Sequence, residues 1–252
     1  MWIAYKTIVV KEILRFTRIW VQTIFPPVIT TSLYLLIFGG LMGERIGDMQ
    51  GVDYLHFIIP GIILMTVIQN SYANTVSSFF LAKFNNSIEE LLISPVSYWV
   101  ILLGYISGGI VRGFVVGLGV FIAVSFFVEL QIYNIWIVLM TFLLTAILFS
   151  LAGFINAVFA KSFDDISIVP TFILMPMTYL GGIFYSVEIL PEFWQTLSKF
   201  NPIYYMVDSF RMGFLGSSTT DLLVSMLVLT TMIMVLAIVA FYLLKKGVNI
   251  KT

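Results

Sequence analysis

The 252 residues predict an all-α membrane protein with six transmembrane helices. An amphipathic surface helix precedes them, and short outer re-entrant helices come before the last span. Three observations lead there. The chain is 60% hydrophobic and only 10% charged, with a mean hydropathy of +1.04, where soluble domains carry about 25% charged residues. Six apolar runs reach the roughly 20 residues that cross a hydrocarbon core. The long segment 186–221 is crowded with rings: Phe193, Trp194, Phe200, Tyr204, Tyr205, Phe210 and Phe214. Aromatics at that density favour the bilayer interface, half buried with a wet polar edge.

The apolar runs are 20–42, 55–81, 99–128, 135–160, 168–187 and 222–244. The second and third are long enough to tilt or to extend past the bilayer. Pro26, Pro27, Pro60, Pro170 and Pro176 fall inside runs and predict kinks. Uniform composition and even spacing give one domain over 1–252, with a surface helix at 1–19, a loop at 82–98 and an outer segment at 188–221. The first apolar run follows a charged amphipathic stretch without a small-residue cleavage site, which reads as a retained helix.

Six spans put both termini on one side. Lys6, Lys11, Arg15, Arg18, Lys83, Lys161, Lys245, Lys246 and Lys251 then share that side, against Arg45, Lys199 and Arg211 on the other. The bias in Lys and Arg makes it cytoplasmic, and the aromatic segment faces outward across a multi-pass inner membrane. Zero net charge suggests no nucleic-acid partner, and the absence of cysteine removes disulfides and thiolate metal sites. One histidine, His56, excludes a two-His metal motif.

Before the first span, Lys11, Arg15 and Arg18 recur at helical spacing, with Val9, Ile13, Phe16 and Trp20 on a neighbouring face. This helix is either an anchor lying on the cytoplasmic surface or a dock for a partner. In the loop at 82–98, Ser87 and Glu90 have the spacing of a capping box, and Pro95 ends about two turns of helix. Glu89 and Glu90 with Leu91, Leu92 and Ile93 give it an acidic and an apolar side. Such a helix is either a capped turn or a lever between a soluble partner and the membrane.

The loop stretch IEELLISPVS resembles the cytosolic loop of ABC-2 type permeases, whose pattern is close to L-E-E-L-L-V-T-P-V-S. The later stretch NPIYYMVDSFRMGFLG resembles the same family's outer segment, roughly N-P-L-x-Y-x-x-D-x-x-R. Ile88, Ile93 and Ser94 are mild departures. The resemblance spans the chain and implies a half-size membrane subunit of an ABC exporter. Two copies would form the path and two copies of a separate ATPase, holding ATP and Mg, would bind below. It also implies that Ser87, Glu89, Glu90, Leu91, Leu92 and Pro95, with Lys11 and Arg15, meet that ATPase. The chain has no G-x-x-x-x-G-K-[ST], so the motor must be another subunit, and no cofactor is expected on this one.

Polar residues inside the spans are the remaining candidates. Thr66, Asn70, Asn74 and Ser77 form one stripe, with Gln69 and Tyr72 beside it. The stripe is either a translocation path or a set of interhelical hydrogen bonds. Tyr179 and Phe184 are further candidates for the path. Arg112 needs an acceptor or must snorkel. Gly109, Gly113 and Gly117 predict close helix packing. Asn201, Pro202, Tyr204, Asp208 and Arg211 are candidates for an outer gate, with Asp208 and Arg211 spaced as an i, i+3 ion pair and Gly213 as a cap. The leading function is export of an amphipathic or lipid-like cargo, with a hydrophilic glycan or a drug as alternatives. An intramembrane enzyme would need paired acids, a Ser–His pair or a His-rich site, and none occurs in the spans. A structural membrane subunit is the third reading.

Overall fold

A computed structural model describes residues 1–42 and 47–249. Arg45 and Lys251, both used in the charge count, lie outside the described residues. The order is α1 (Trp2–Thr17), α2 (Trp20–Tyr34), a π-helical continuation (Leu35–Met42), a two-residue hairpin of β1 (Asp48–Met49) and β2 (Val52–Asp53), then α3 (Tyr54–Phe84). There follow α4 (Ser87–Ile93), α5 (Tyr98–Ser125), α6 (Ile135–Phe159), α7 (Asp165–Val169), a π turn (Pro170–Leu174) and α8 (Met175–Leu180). A 3₁₀ turn (Val187–Ile189), α9 (Glu192–Lys199), α10 (Pro202–Leu215) and α11 (Leu222–Lys246) complete it.

Five helices are long and apolar enough to cross a membrane: Trp20–Phe38, α3, α5, α6 and α11. The fifth predicted run is different. It folds as Asp165–Leu180, a shorter apolar helix that starts three residues early and stops seven early. Pro170 and Pro176 remove amide donors from its ladder, and Gly181 and Gly182, the latter at φ +73°, end it. Sixteen residues rise about 24 Å, short of the roughly 30 Å of a hydrocarbon core.

Helix α3 is the axis of the bundle. Of its most apolar window 83% is buried, against 17% for the first span and 11% for α11. It packs on α5, α6 and α10. Small residues permit this. A Cβ on Gly109 would strike Thr75 of α3 and Ser150 of α6, one on Gly117 would come 2.8 Å from Val67, and Gly113 abuts Ser71. The predicted glycine stripe is therefore the seam of three helices. On the far side α2 and α11 turn apolar side chains such as Phe25, Leu33, Leu227 and Ile238 outward, as helices facing lipid do.

The hairpin had no counterpart in the sequence reading. Its turn is Gln50 and Gly51, both at positive φ (+53° and +79°). Gln50 Nε2 donates to Ser186 Oγ (3.0 Å) and Thr219 Oγ1 (3.2 Å), tying three outer loops together.

Candidate functional site

The outer segment departs from expectation. Only α9 is superficial, exposing Phe193 (70%), Trp194 (43%) and Phe200 (82%). Helix α10 is an interior helix: Pro202, Tyr204, Asp208, Phe210, Arg211 and Phe214 are all buried. Asn201 caps it by accepting from Ile203 N (3.0 Å), and its Nδ2 donates to Met177 O (2.6 Å), which clips α10 to α8. Gly213 is not a cap. It lies inside the helix, where a Cβ would come 2.6 Å from Val138, and Gly216 at φ +76° is the actual C-cap.

The Asp208–Arg211 ion pair is not formed, because both groups have better partners. The Asp208 carboxylate accepts from Thr219 N (3.1 Å), Thr220 N (2.8 Å) and Thr220 Oγ1 (2.6 Å), which fastens the loop before α11. Arg211 reaches the other way. Its Nη2 donates to Gly182 O (2.9 Å) at the end of α8, its Nε donates to Phe57 O (3.2 Å) on α3, and the guanidinium stacks 3.7 Å from the Phe57 ring centroid. Arg211 thus joins α3, α8 and α10. A gate built from these residues would be held by the backbone, through donors to Asp208 and acceptors for Arg211.

At the opposite end of α3 the surface helix is set into the bundle. Gly104 and Gly108 of α5 leave room for it: a Cβ on Gly104 would lie 2.5 Å from Ile8, and one on Gly108 would lie 2.6 Å from Glu12. The buried stripe is Ile8, Glu12 and Phe16, displaced from the expected face; Val9 and Ile13 are only partly buried and Trp20 is exposed. Glu12 is fully buried and accepts from Ser78 Oγ at 2.5 Å. Arg15 turns inward, donating to Asn74 Oδ1 (2.8 Å) and Asn74 O (2.9 Å) and meeting Ser77 (3.3 Å) and Glu12 (3.5 Å). The sequence reading missed Glu12. Its signal was a carboxylate four residues from Ile8 and four from Phe16, the one charge on an apolar stripe.

Asn74 and Ser77 therefore pair with α1, while Thr66 and Asn70 hydrogen-bond their own helix at Ile62 O and Thr66 O and are buried. The open edge of α3 is one step round, at Gln69, Ala73 and Ser77, of which Gln69 is exposed. Beside it lies a cleft of about 310 Å³ lined by Gln69, Tyr72, Ala73, Thr171, Leu174 and Thr178, floored by the π turn. Tyr179 is half exposed on the same broken helix, with its ring 6.3 Å from Phe184.

The loop helix α4 exists, but without the capping box. Asn86, at φ +57°, is the N-cap and Ser87 Oγ donates backward to Ala82 O (3.1 Å). Ile88 is buried and anchors it, Leu91 and Leu92 are half buried, and Glu90, Ile93 and Pro95 are exposed. Lys11 is exposed on α1. Among the described residues no group of three or more His, Cys, Asp or Glu could hold a metal ion.

A bundle of long apolar helices around one buried helix fits a membrane protein. The family model for ABC-2 type transporters matches residues 3–215, and the chain belongs to that family. It is 57% identical over 243 residues to the inner membrane transport permease YadH of Escherichia coli (strain K12), covering 96% of this chain and 93% of that protein. It is also 23% identical over 190 residues to nodulation protein J of Rhizobium leguminosarum bv. trifolii, covering 75% and 72%, and 22% identical over 208 residues to nodulation protein J of Rhizobium meliloti (strain 1021), covering 82% and 79%. It is accordingly a membrane subunit of an ABC transporter and a transport protein.

Proposed function

We propose that two copies of this chain form the membrane path of an inner-membrane exporter that moves an amphipathic, lipid-like cargo outward. A separate ATPase, in two copies, supplies the energy and holds ATP and Mg. The observation that carries this reading is the pairing of a motor-docking surface with an open, weakly polar cleft in a chain without a phosphate-binding loop. Helix α4 presents Glu90, Ile93 and Pro95 on a base seated by Ile88, and Lys11 lies exposed on α1. Seated on the end of α3, this short helix would pass a push into the bundle.

The cleft beside Gln69, Tyr72, Thr171 and Thr178 suits a cargo that is mostly apolar with a few hydrogen-bonding groups. Tyr179 stands on the same broken helix, and Asn201, Pro202, Tyr204, Asp208 and Arg211 are assigned to the outer gate. With the short helix Asp165–Leu180 taken as a sixth crossing, both termini lie on one side, the cytoplasmic one. A hydrophilic glycan or a drug is the alternative cargo, since aromatics also stack on sugars.

The test is co-expression with a candidate ATPase, followed by reconstitution in vesicles. Co-purification and ATP-dependent outward movement of a labelled lipid support the proposal. Hydrolysis that no lipid, glycan or drug stimulates, with no partner retained, points to a structural subunit.

A further inference from the structure

We propose that Arg112 binds the phosphate of an anionic lipid headgroup where α1 meets α2. Arg112 has no hydrogen bond and no ion pair to any described residue, and its Nε is buried without a partner. The residue as a whole is only partly buried. A buried guanidinium N–H without an acceptor is costly, and an acceptor from outside the chain would recover that cost.

Helix packing places it. Gly108 of α5 meets Glu12 of α1, and Gly119 of α5 meets Ile24 of α2. Residues 108, 112 and 119 share one helical face, four and then seven positions apart. Arg112, four residues past Gly108, therefore lies opposite the last turn of α1 near Phe16, just before the α1–α2 junction. That junction marks the interface, since the first span begins there with an exposed Trp20 (53%). Arg112 is the fifteenth residue of a 28-residue helix that rises about 42 Å, longer than the roughly 30 Å of a hydrocarbon core, and the half before Arg112 packs on α1. The guanidinium is thus at headgroup depth.

The surroundings favour an anion. Arg15 acts electrostatically on Arg112, and Glu12 is the one carboxylate that pairs in this cluster. Arg112 carries its charge near that of Arg15 with no carboxylate paired to it, and Arg15 Nε and Asn74 Nδ2 are also buried donors without acceptors. A phosphate diester supplies two acceptor oxygens in the geometry of a guanidinium fork. A headgroup carrying its own ammonium would bring a second cation beside Arg15, so a net-negative lipid is preferred.

The experiment uses the delipidated full chain in detergent. Lipid binding is read by native mass spectrometry and by thermal unfolding, with phosphatidylglycerol, phosphatidylcholine and inorganic phosphate as separate probes. Phosphatidylglycerol should bind and stabilise the wild type more than phosphatidylcholine. Arg112→Gln should weaken phosphatidylglycerol binding about tenfold and leave phosphatidylcholine unchanged, with Arg112→Lys in between. If Arg112→Gln does not fold, the Lys variant and the wild-type preference decide. Equal binding of the two lipids, or full affinity in a folded Arg112→Gln, overturns the proposal. Equal protection by millimolar inorganic phosphate overturns the lipid source and leaves a soluble phosphate site.

Discussion

Charged residues in this chain are few, and each buried one fastens a different pair of elements. Asp208 holds Thr219 and Thr220, and Asp208→Ala removes three acceptor contacts at once. We expect a loss of about 2–3 kcal/mol, since hydrogen bonds to a charged group contribute about 1.5–3 kcal/mol. Faster amide exchange at Thr219 and Thr220 should accompany it, with a smaller effect in Asp208→Asn. Exchange unchanged at both amides would show that the loop is held by other contacts. Arg211→Lys should destabilise the outer segment although charge is kept, because a lysine cannot span Phe57 O and Gly182 O with one planar fork. The expected effect is about 2 kcal/mol in detergent unfolding, and an unaltered transition would refute it.

Among the elements, α1 and α4 are the two that we propose meet the ATPase. Gly108→Val would place a branched side chain against Glu12, where even a Cβ approaches to 2.6 Å. It should displace α1 and uncover Ser78, which is buried under Glu12. Because the chain has no cysteine, a single Ser78→Cys reports this directly. Its thiol should label slowly in the parent and many times faster with Gly108→Val; equal rates would mean that α1 does not depend on that close approach. For α4, Glu90→Lys or Leu91→Asp should abolish retention of the ATPase or separate hydrolysis from transport. Wild-type assembly and transport in both variants would remove the coupling role.

For the molecule as a whole the open question is the crossing number. Five long helices put the termini on opposite sides, and the addition of Asp165–Leu180 puts them on the same side. Single cysteines at Ile3 and Val248 test this in intact cells. Both should react with an impermeant thiol reagent only after the inner membrane is opened. Reaction of one of them in intact cells would fix an odd number of crossings.

Some of this architecture was written in composition and spacing. Hydropathy requires no partner to be read, so α3, α5, α6 and α11 fall within four residues of the apolar runs, and α4 lies where Ser87 and Pro95 bound it. The family was legible because two motifs stand in order along the chain. Side-chain pairing was not legible. Asp208 and Arg211 are three residues apart, yet their partners lie 11 or more positions away, at Thr219, Gly182 and Phe57. Local spacing proposes the neighbour on the same helix, whereas a buried charge goes to the nearest unsatisfied backbone group, and packing alone brings that group near. The same reason divides the polar stripe of α3: Asn74 and Ser77 pair with α1, whereas Thr66 and Asn70 bond their own helix. Periodicity gives a helix its polar face, but which face is covered depends on glycines in another helix, Gly104 and Gly108, and on a carboxylate that they admit.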